Sequence, residues 1–506
     1  MMQLIIEFAY TGSVSVTWEN VQELLLAADQ LNVMDLVQTC CDFLVEQLCP
    51  ENCIGIFQVT GICYVTELQH KAYHYIIDHF EKVVFSEEIL QLSVQQLTDI
   101  LGRNDLNVRK ESTVYEAILR WIAHLPEERK AHIAVLLSKV QRALTSMDYM
   151  RINVMSNELV KNNTECWLIT REAIATICHL TNRRSHLFNY LARPRLPNAV
   201  LLAIGGWSIN NSTNVIEAYD VRADCWIKVT NHLEHPRAFL GTAFLNGNVY
   251  CVGGFDSVQP FSSVSRFDLR THTWHEVASM YYRRCYVSVT VLDECIYAMG
   301  GYDGHTRLCT AERYRPETNQ WSLIAPMQEC RSDASSTTLH NKVYVCGGFN
   351  GNDCLQTAEC YSPDTNQWTM IAHMNCQRSG IGIIAYANHV YTVGGFDGFT
   401  RLCSVEAYNP WNNTWHEVSP MSTPRSNFGI KVLDDQLFVV GGFQGFTTSY
   451  NVEYYDATTD EWTDACNMEI SRSALSCCVV SELPNRVEYI VPCDLPSLLD
   501  DVSMES

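Results

Sequence analysis

Six glycine pairs, evenly spaced through the second half of the sequence, constrain the fold of this chain more than any other feature. Successive pairs lie 48, 47, 47, 47 and 47 residues apart. A tryptophan follows each pair twenty residues after its second glycine, and an aromatic residue lies seven positions before that tryptophan. An arginine lies ten residues after each tryptophan, or eleven after the first. Landmarks kept in register through six units indicate a repeat protein. The first glycines are Gly205, Gly253, Gly300, Gly347, Gly394 and Gly441; the tryptophans are Trp226, Trp274, Trp321, Trp368, Trp415 and Trp462; the arginines are Arg237, Arg284, Arg331, Arg378, Arg425 and Arg472.

Each unit has the pattern of four short β-strands. An apolar run such as 342–346 ends in the glycine pair, a second run carries the aromatic residue, and a polar turn leads to the strand of the tryptophan. Units of about 50 residues with four strands resemble kelch repeats, whose sheets form the blades of a β-propeller. The resemblance covers roughly residues 196–480. It implies an all-β, six-bladed kelch propeller over 198–480.

The two ends of the repeat indicate how the ring closes. The first unit begins directly with the apolar run before Gly205, so it lacks one strand, whereas an unmatched strand at 474–480 follows Arg472. Pairing that last strand with the first blade would remove two free sheet edges. We therefore expect the last strand to complete the first blade.

Comparison among the six units separates structural from functional candidates. The glycine pairs, tryptophans and arginines occur in every unit. We therefore expect them to make contacts that every blade needs in order to fold. The residues that differ lie in two loops per unit, one after the glycine pair and one after the recurring arginine. We predict that these loops bind the partner through Trp207, Tyr302, Arg307, Ser332, Phe349, Ser379, Phe396, Arg401, Ser426, Phe443 and Ser473.

Two of these residues, Arg307 and Arg401, share a loop position that is arginine in only two units. Guanidinium groups beside serine hydroxyls suit a carboxylate, which predicts an acidic segment in a partner protein. In the alternative, each arginine pairs with an aspartate of its own loop, Asp303 or Asp397, and only stiffens that loop. For the aromatic residue after each glycine pair, packing between blades and ligand contact both stay open.

The first half of the sequence has a different pattern. Residues 1–190 contain no glycine pair, and apolar residues recur at helical spacing, as in Val21, Leu24 and Leu25. The stretch 182–197 contains two prolines and four arginines and ends this pattern, which predicts a linker.

Several segments of this helical half resemble known domains. Residues 8–12 and 24–31 are similar to the second half of a BTB domain, and residues 51–56 and 105–108 are similar to a BACK domain. With kelch repeats behind them, these segments resemble the kelch-like adaptor family across nearly the whole chain. The implied organisation is an all-α BTB part over 1–48, a BACK domain over 49–181, the linker over 182–197, the propeller over 198–480 and an acidic tail over 481–506.

This resemblance implies a non-catalytic substrate-recognition adaptor of a Cullin-3 ubiquitin ligase, whose BTB and BACK parts hold the cullin and whose propeller holds the substrate. The family's cullin-binding motif falls on Ile5, Glu7 and Tyr10, although Ile5 also fits a helix core. The resemblance implies that the sequence starts inside the BTB domain, without the helix and strands that form the family's usual homodimer. We therefore expect residual cullin binding at best and regard a homodimer as doubtful.

The amino-acid composition argues against two classes of binding partner and against a membrane or secreted location. A net charge of −22 disfavours nucleic acid and anionic membranes, because both attract an excess of Lys and Arg. No apolar run reaches membrane-spanning length and no signal peptide is present, so we expect a cytoplasmic protein with reduced thiols.

Catalytic and metal motifs are missing from the sequence. It contains no C-x-x-C, Walker, H-E-x-x-H or G-x-S-x-G motif, so we expect no metal, cofactor or catalytic residues. A propeller enzyme therefore fits least well. An actin-associated kelch protein without a ligase role stays as the alternative to the adaptor.

Overall fold

The computed structural model describes residues 2–62, 65–179, 194–209, 211–229, 233, 235–481 and 486–490. These residues divide into a helical unit that ends at Asn198 and a β unit over Ala199–Pro492. The predicted fold class, helices followed by a six-bladed propeller, is confirmed.

The stretch predicted as the BTB part is helical throughout its regular elements. Helices α1 (Met2–Thr11), α2 (Val21–Gln30) and α3 (Met34–Glu46) share a core around Leu24, Leu36 and Cys40, none of which is exposed. The helices that follow bury a second core, which includes Phe80, Ile118 and Leu136. These helices are α4 (Cys53–Ile62), α5 (Thr66–Asp78), α6 (Phe80–Val83), α7 (Val94–Leu101), α8 (Glu111–His124), α9 (Pro126–Arg129), α10 (Ile133–Leu137), α11 (Met147–Tyr149), α12 (Glu158–Lys161) and α13 (Thr164–His179).

The end of the predicted linker is anchored in the helical unit. Nε of Arg195 donates to Oε1 of Glu111 at 2.6 Å, and the two side chains are 2% and 4% exposed. The same guanidinium also donates to the carbonyl oxygen of Leu101. A buried ion pair whose other donors are satisfied holds a segment in one position. Residues 182–193 lie outside the described residues.

The β unit consists of six four-stranded antiparallel sheets, the blades, and one small hairpin. Blades 2 to 6 each use four consecutive strands, β6–β9, β10–β13, β14–β17, β18–β21 and β22–β25, and the hairpin is β2–β3. The strands are β1 (Ala199–Ile204), β2 (Trp207–Ser208), β3 (Asn211–Ser212), β4 (Ile216–Asp220), β5 (Cys225–Lys228), β6 (Gly241–Leu245), β7 (Asn248–Val252), β8 (Val264–Asp268), β9 (Thr273–Val277), β10 (Ser288–Leu292), β11 (Cys295–Met299), β12 (Ala311–Arg315), β13 (Gln320–Ile324), β14 (Ser335–Leu339), β15 (Lys342–Cys346), β16 (Ala358–Ser362), β17 (Gln367–Ile371), β18 (Gly382–Tyr386), β19 (His389–Val393), β20 (Val405–Asn409), β21 (Thr414–Val418), β22 (Gly429–Leu433), β23 (Gln436–Val440), β24 (Val452–Asp456), β25 (Glu461–Asp464) and β26 (Ser476–Ser481).

Blade 1 joins the two ends of the ring. Its strand order is β26-β1-β4-β5, and β26 runs antiparallel to β1 with Val480 opposite Val200. The prediction that the last strand completes the first blade is therefore confirmed.

The glycine pairs are required by the backbone at the end of each second strand. In blade 4, Gly347 and Gly348 have φ values of 63° and 103°, which side chains disfavour. A Cβ on Gly347 would lie 2.5 Å from the carbonyl oxygen of Arg378. The carbonyl oxygen of Gly347 accepts a bond from Nη1 of Arg331 at 2.8 Å. The pair is thus enclosed between two recurring arginines, which links the landmarks of adjacent blades.

The recurring arginines are buried, and five of them pair with a glutamate in the third strand of the blade that follows. In the pairs with a glutamate of the blade's third strand, both side chains are at most 2% exposed. Arg237, in blade 2, donates instead to Ser263 and to the carbonyl oxygen of Gly253. These contacts support a structural role for the arginines. The pairs are Arg284–Glu312, Arg331–Glu359, Arg378–Glu406, Arg425–Glu453 and Arg472–Glu217.

A short turn beyond residue 480 packs against the β unit. Tyr489 is buried, its hydroxyl donates to the carbonyl oxygen of Leu269 at 3.2 Å, and its ring stacks on His272 at 5.3 Å. Part of the predicted tail, 481–506, therefore belongs to the β unit. Residues 491–506 lie outside the described residues.

Candidate partner-binding face

The two variable loops of each blade lie side by side at one end of the propeller, which we call the loop face. In blade 4, Ser332 and Phe349 exchange two backbone hydrogen bonds, of 3.0 and 2.7 Å. Equivalent pairs occur in the other blades, including Trp207 with Ser473 across the ring closure. In the sequence, the two loops are some seventeen residues apart in blades 2 to 6, and almost the whole propeller separates them in blade 1. The structure brings them together, as predicted.

A closed ring of backbone hydrogen bonds marks the centre of the loop face. The second residue after each recurring arginine donates its N–H to the carbonyl oxygen of its counterpart in the preceding blade, at 2.7–3.2 Å, and the sixth bond closes the circle. All six residues have φ between 52° and 60°, although five are not glycine. The backbone of this ring is therefore nearly the same in all six blades, whereas the side chains differ from blade to blade. They are Phe239, Tyr286, Asp333, Gly380, Asn427 and Ala474.

In each loop after a glycine pair, the fourth residue after the second glycine, or the third in blade 1, lies at the tip and is exposed. Asp397 accepts bonds from the backbone N–H groups of Phe399 and Thr400 at 2.7 and 2.6 Å, and these bonds lower the pKa of Asp397. Such turns stiffen the loop. The equivalent side chain in blades 2 to 4 also accepts two backbone N–H bonds of its loop; these residues are Asp256, Asp303 and Asn350. The exposed tip residues are Ile209, Val258, His305, Asn352, Phe399 and Phe446.

Arg307 and Arg401 lie between aromatic rings of adjacent blades. Cζ of Arg307 is 4.4 Å from the Tyr302 ring centroid and 5.2 Å from that of Phe349. Cζ of Arg401 is 4.5 Å from the Phe396 centroid and 4.9 Å from the Phe443 centroid.

Because contacts with aromatic rings use no N–H donor, they leave the N–H groups of each guanidinium for a ligand. Nε of both arginines is buried without a hydrogen-bond partner among the described residues. Asp303 and Asp397 bond backbone amides of their own loops instead of the arginines. The alternative of an arginine–aspartate pair within each loop is therefore not what the structure contains.

The predicted serines are less available than the arginines. Ser332 and Ser426 are 0% and 2% exposed, and the Ser332 hydroxyl donates to Oδ2 of Asp333 at 2.8 Å. Ser379 is half-buried. Ser473 is 7% exposed and contributes to the wall of a cavity.

That cavity, which we call the apolar cavity, lies on the loop face and is lined by residues of blades 6, 1 and 2 and by Tyr286 of blade 3. It has a volume of about 620 Å³, within the usual range of ligand pockets. Trp207 and Phe443, both predicted, line it. Aromatic residues that the sequence reasoning did not select line it too: Phe239, Phe255, Tyr286 and Phe446. Phe239 and Tyr286 could have been found, because the other blades have small or polar residues at their position.

The carboxyl group of Asp333, on the central ring, has a shifted pKa. Burial raises the pKa of Asp333 to about 6, against the lowering effects of the Ser332 hydroxyl and of Arg307. Behind the ring, residues of the first strands line a narrow channel of about 130 Å³.

The described residues show neither a metal centre nor a membrane helix. No three His, Cys, Asp or Glu side chains among them converge as metal ligands. In the same ranges, no helix has the length and apolar character needed to cross a bilayer.

Comparison with known proteins accounts for three parts of the chain. A model of the BTB/POZ domain matches residues 1–48, and a model described as BTB And C-terminal Kelch matches 53–155. The Kelch motif model matches six segments, which together cover more than half of the sequence: 200–232, 236–281, 283–328, 330–375, 377–422 and 424–469.

The chain belongs to the BTB-BACK-kelch family.

Relatives of this BTB-BACK-kelch protein include kelch-like protein 3 of Bos taurus, 37% identical over 255 residues, and of Homo sapiens, 36% identical over 255 residues. Kelch-like protein 2 of Rattus norvegicus is 35% identical over 257 residues. Each match covers 50% of this chain and 43% of the relative. A closer resemblance to kelch-like protein 10 within the family, which we also inferred from the sequence, stays a prediction.

The three residues predicted for cullin binding differ in exposure within the BTB part. Ile5 is 5% exposed and packs in the core of α1–α3, as its alternative interpretation required. Glu7 is exposed, and Tyr10 is 88% exposed. A cullin-binding role for these residues stays a prediction, and Tyr10 is the most accessible of the three.

Proposed function

We propose that this chain is a non-catalytic substrate-recognition adaptor of a Cullin-3 ubiquitin ligase. Two features that occur together in this chain support the proposal. The loop face of the propeller carries two stacked guanidinium groups whose edges are unengaged, and the same chain contains BTB and BACK parts. An adaptor acts by raising the local concentration of a substrate lysine near the ubiquitin carrier. No side chain of the adaptor has to react in that mechanism.

Arg307 and Arg401 are the groups that we propose to bind acidic residues of the substrate protein. Their edge N–H groups match a carboxylate in geometry and charge, and the stacked rings limit the entropy lost on binding. The buried Ser332 and Ser426 contribute to loop shape rather than to direct contact in this scheme.

Titration of the full chain against the N-terminal domain of Cullin-3 tests the ligase role. We expect measurable binding that Tyr10→Ala weakens by about fivefold or more, as for an interface anchor. Tyr281→Ala is the matched control, since this exposed tyrosine lies in the β unit. Absence of cullin binding, or equal loss in both variants, would contradict the proposal.

Two further measurements separate the alternatives. Co-sedimentation with actin filaments, without cullin binding, would favour the cytoskeletal function instead. For the substrate, Arg307→Ala with Arg401→Ala should reduce quantitative capture of partner proteins without lowering the melting temperature.

A further inference from the structure

The tips of the loop face differ in polarity around the ring. In four consecutive blades, 5, 6, 1 and 2, the tip side chain is apolar and highly exposed: Phe399 is 85% exposed, Phe446 99%, Ile209 83% and Val258 84%. In blades 3 and 4 the tips are His305 and Asn352, which are also exposed. Because two of these exposed apolar side chains, Ile209 and Phe446, border the same cavity, this half of the loop face is a candidate contact surface.

Ile209 breaks two local preferences at once. Its φ is 54°, a left-handed conformation that is sterically unfavourable for a β-branched residue. It lies at the tip of the β2–β3 hairpin, where such conformations favour Asn or Gly. Its side chain gains no burial in return. Backbone strain together with apolar exposure at one residue points to a role outside the fold.

The apolar cavity lies directly behind two of these tips. Ile209 and Phe446 line it, together with the rings of Trp207, Phe255 and Phe443. The polar groups in its wall are hydroxyls and one amide: Tyr286, Asn427, Thr447, Thr448, Ser471 and Ser473. Among the described residues that line it, none carries a carboxylate, ammonium or guanidinium group. A charged side chain would lose its hydration there without gaining an ion pair, so the cavity selects an uncharged apolar group.

A positive charge lies beside this cavity. Phe443 forms part of its wall, and the guanidinium of Arg401 is 4.9 Å from the centroid of the same ring. The side chain of Arg401 also passes close to Gly445, at 3.9 Å from the position of a Cβ there. Arg307 stacks on Tyr302 and Phe349 instead, and neither ring lines the cavity.

We infer that the apolar cavity holds a bulky, uncharged apolar side chain of a partner segment, and that an acidic residue close to it in that segment pairs with Arg401. The inference rests on the loop face being the partner surface of the proposed function, and it adds the chemistry of the occupant. Aromatic pockets with a neutral polar rim are typical anchor sites in protein interfaces.

Selection of random twelve-residue peptides displayed on phage, with the full chain as bait, tests the occupant directly. We expect the enriched peptides to share an aromatic or large aliphatic residue with an acidic residue within a few positions. A synthetic peptide of that consensus should lose at least tenfold in affinity on Phe446→Ser or Ile209→Asn. Ile209→Asn should at the same time raise the melting temperature, because Asn tolerates this φ.

Matched variants on the opposite half of the face control for general effects. Asn352→Ser and His305→Ser should change the affinity less than twofold. Arg401→Ala should weaken binding several-fold. Replacing the acidic residue of the peptide with its amide should remove the effect of Arg401→Ala.

Several outcomes would overturn the inference. These are no enrichment, a consensus that is acidic only, or equal losses from the cavity variants and from Asn352→Ser. Phage enrichment and Cullin-3 titration are independent measurements. Peptide binding without cullin binding would reject the ligase role and leave this inference standing, and the reverse result would reject only the inference.

Discussion

Arg472 and Glu217 form an ion pair although 255 positions separate them along the chain. Both side chains are 0% exposed. Arg472 also donates to the carbonyl oxygens of Gly205 and Val215 in blade 1. The contact that joins neighbouring blades elsewhere in the ring therefore also joins the last blade to the first.

Replacing Glu217 should destabilise the propeller strongly. Glu217→Gln leaves the Arg472 guanidinium buried without its counter-charge, and breaking a buried pair in this way costs about 3–5 kcal/mol. Chemical denaturation of the full chain, followed by tryptophan fluorescence, measures the loss. Glu127→Gln is the control, because Glu127 and Lys130 form an exposed pair in the helical unit. A loss no larger than that of the control would mean that the Arg472–Glu217 pair does not stabilise the closure.

Removing the closing strand should open the ring. Deletion of 474–506 removes β26, exposes the edge of β1 and takes away its antiparallel partner. We expect the cooperative thermal transition of the β unit to broaden and move to lower temperature. Deletion of 493–506 alone is the control, since it leaves β26 and the turn of Tyr489 in place. Equal melting curves for the two truncations would contradict the closure.

Trp368 should stabilise the junction of blades 3 and 4. It is 7% exposed, packs with Tyr297 and Val345, and donates from Nε1 to the carbonyl oxygen of Ala325 at 2.8 Å. The prediction that this tryptophan packs between blades is thus confirmed. Trp368→Ala should cost about 3–5 kcal/mol of unfolding free energy, as for a buried aromatic truncation. Trp411→Ala is the control, because Trp411 is 80% exposed. A melting temperature within a degree of the parent would show that Trp368 is dispensable.

The repeat made the architecture predictable from the sequence. A residue that recurs in every unit must satisfy a contact that every blade makes, as Gly347 and Arg331 do. The missing strand before Gly205 and the extra strand after Arg472 then fixed how the ring closes. These inferences depend only on local spacing and on the rule that sheet edges are paired.

The chemistry of the loop face was less predictable. Ser332 adjoins a buried arginine, and spacing alone does not tell whether its hydroxyl points inward or outward. The apolar cavity needs residues of blades 6, 1 and 2, which meet only after the ring has closed. Phe239 and Tyr286 occupy left-handed backbone positions that bulky residues normally avoid, so local preference argued against their placement.

Asp333 should make the stability of the propeller fall as pH rises from about 4 to 6. Burial raises its pKa in the folded state to about 6 from an ordinary value of 3.8. Between these values the folded state binds more protons than the unfolded state, so the free energy of unfolding decreases with increasing pH and levels off above 6. Asp333→Asn should flatten this slope and stabilise the protein at pH 7, by up to about 3 kcal/mol. Asn427→Asp, at the equivalent ring position of blade 6, should introduce a slope of the same sign. Urea denaturation at half-unit steps between pH 4 and 7 measures both variants. An unchanged slope in Asp333→Asn would show that this carboxyl titrates as an ordinary exposed aspartate.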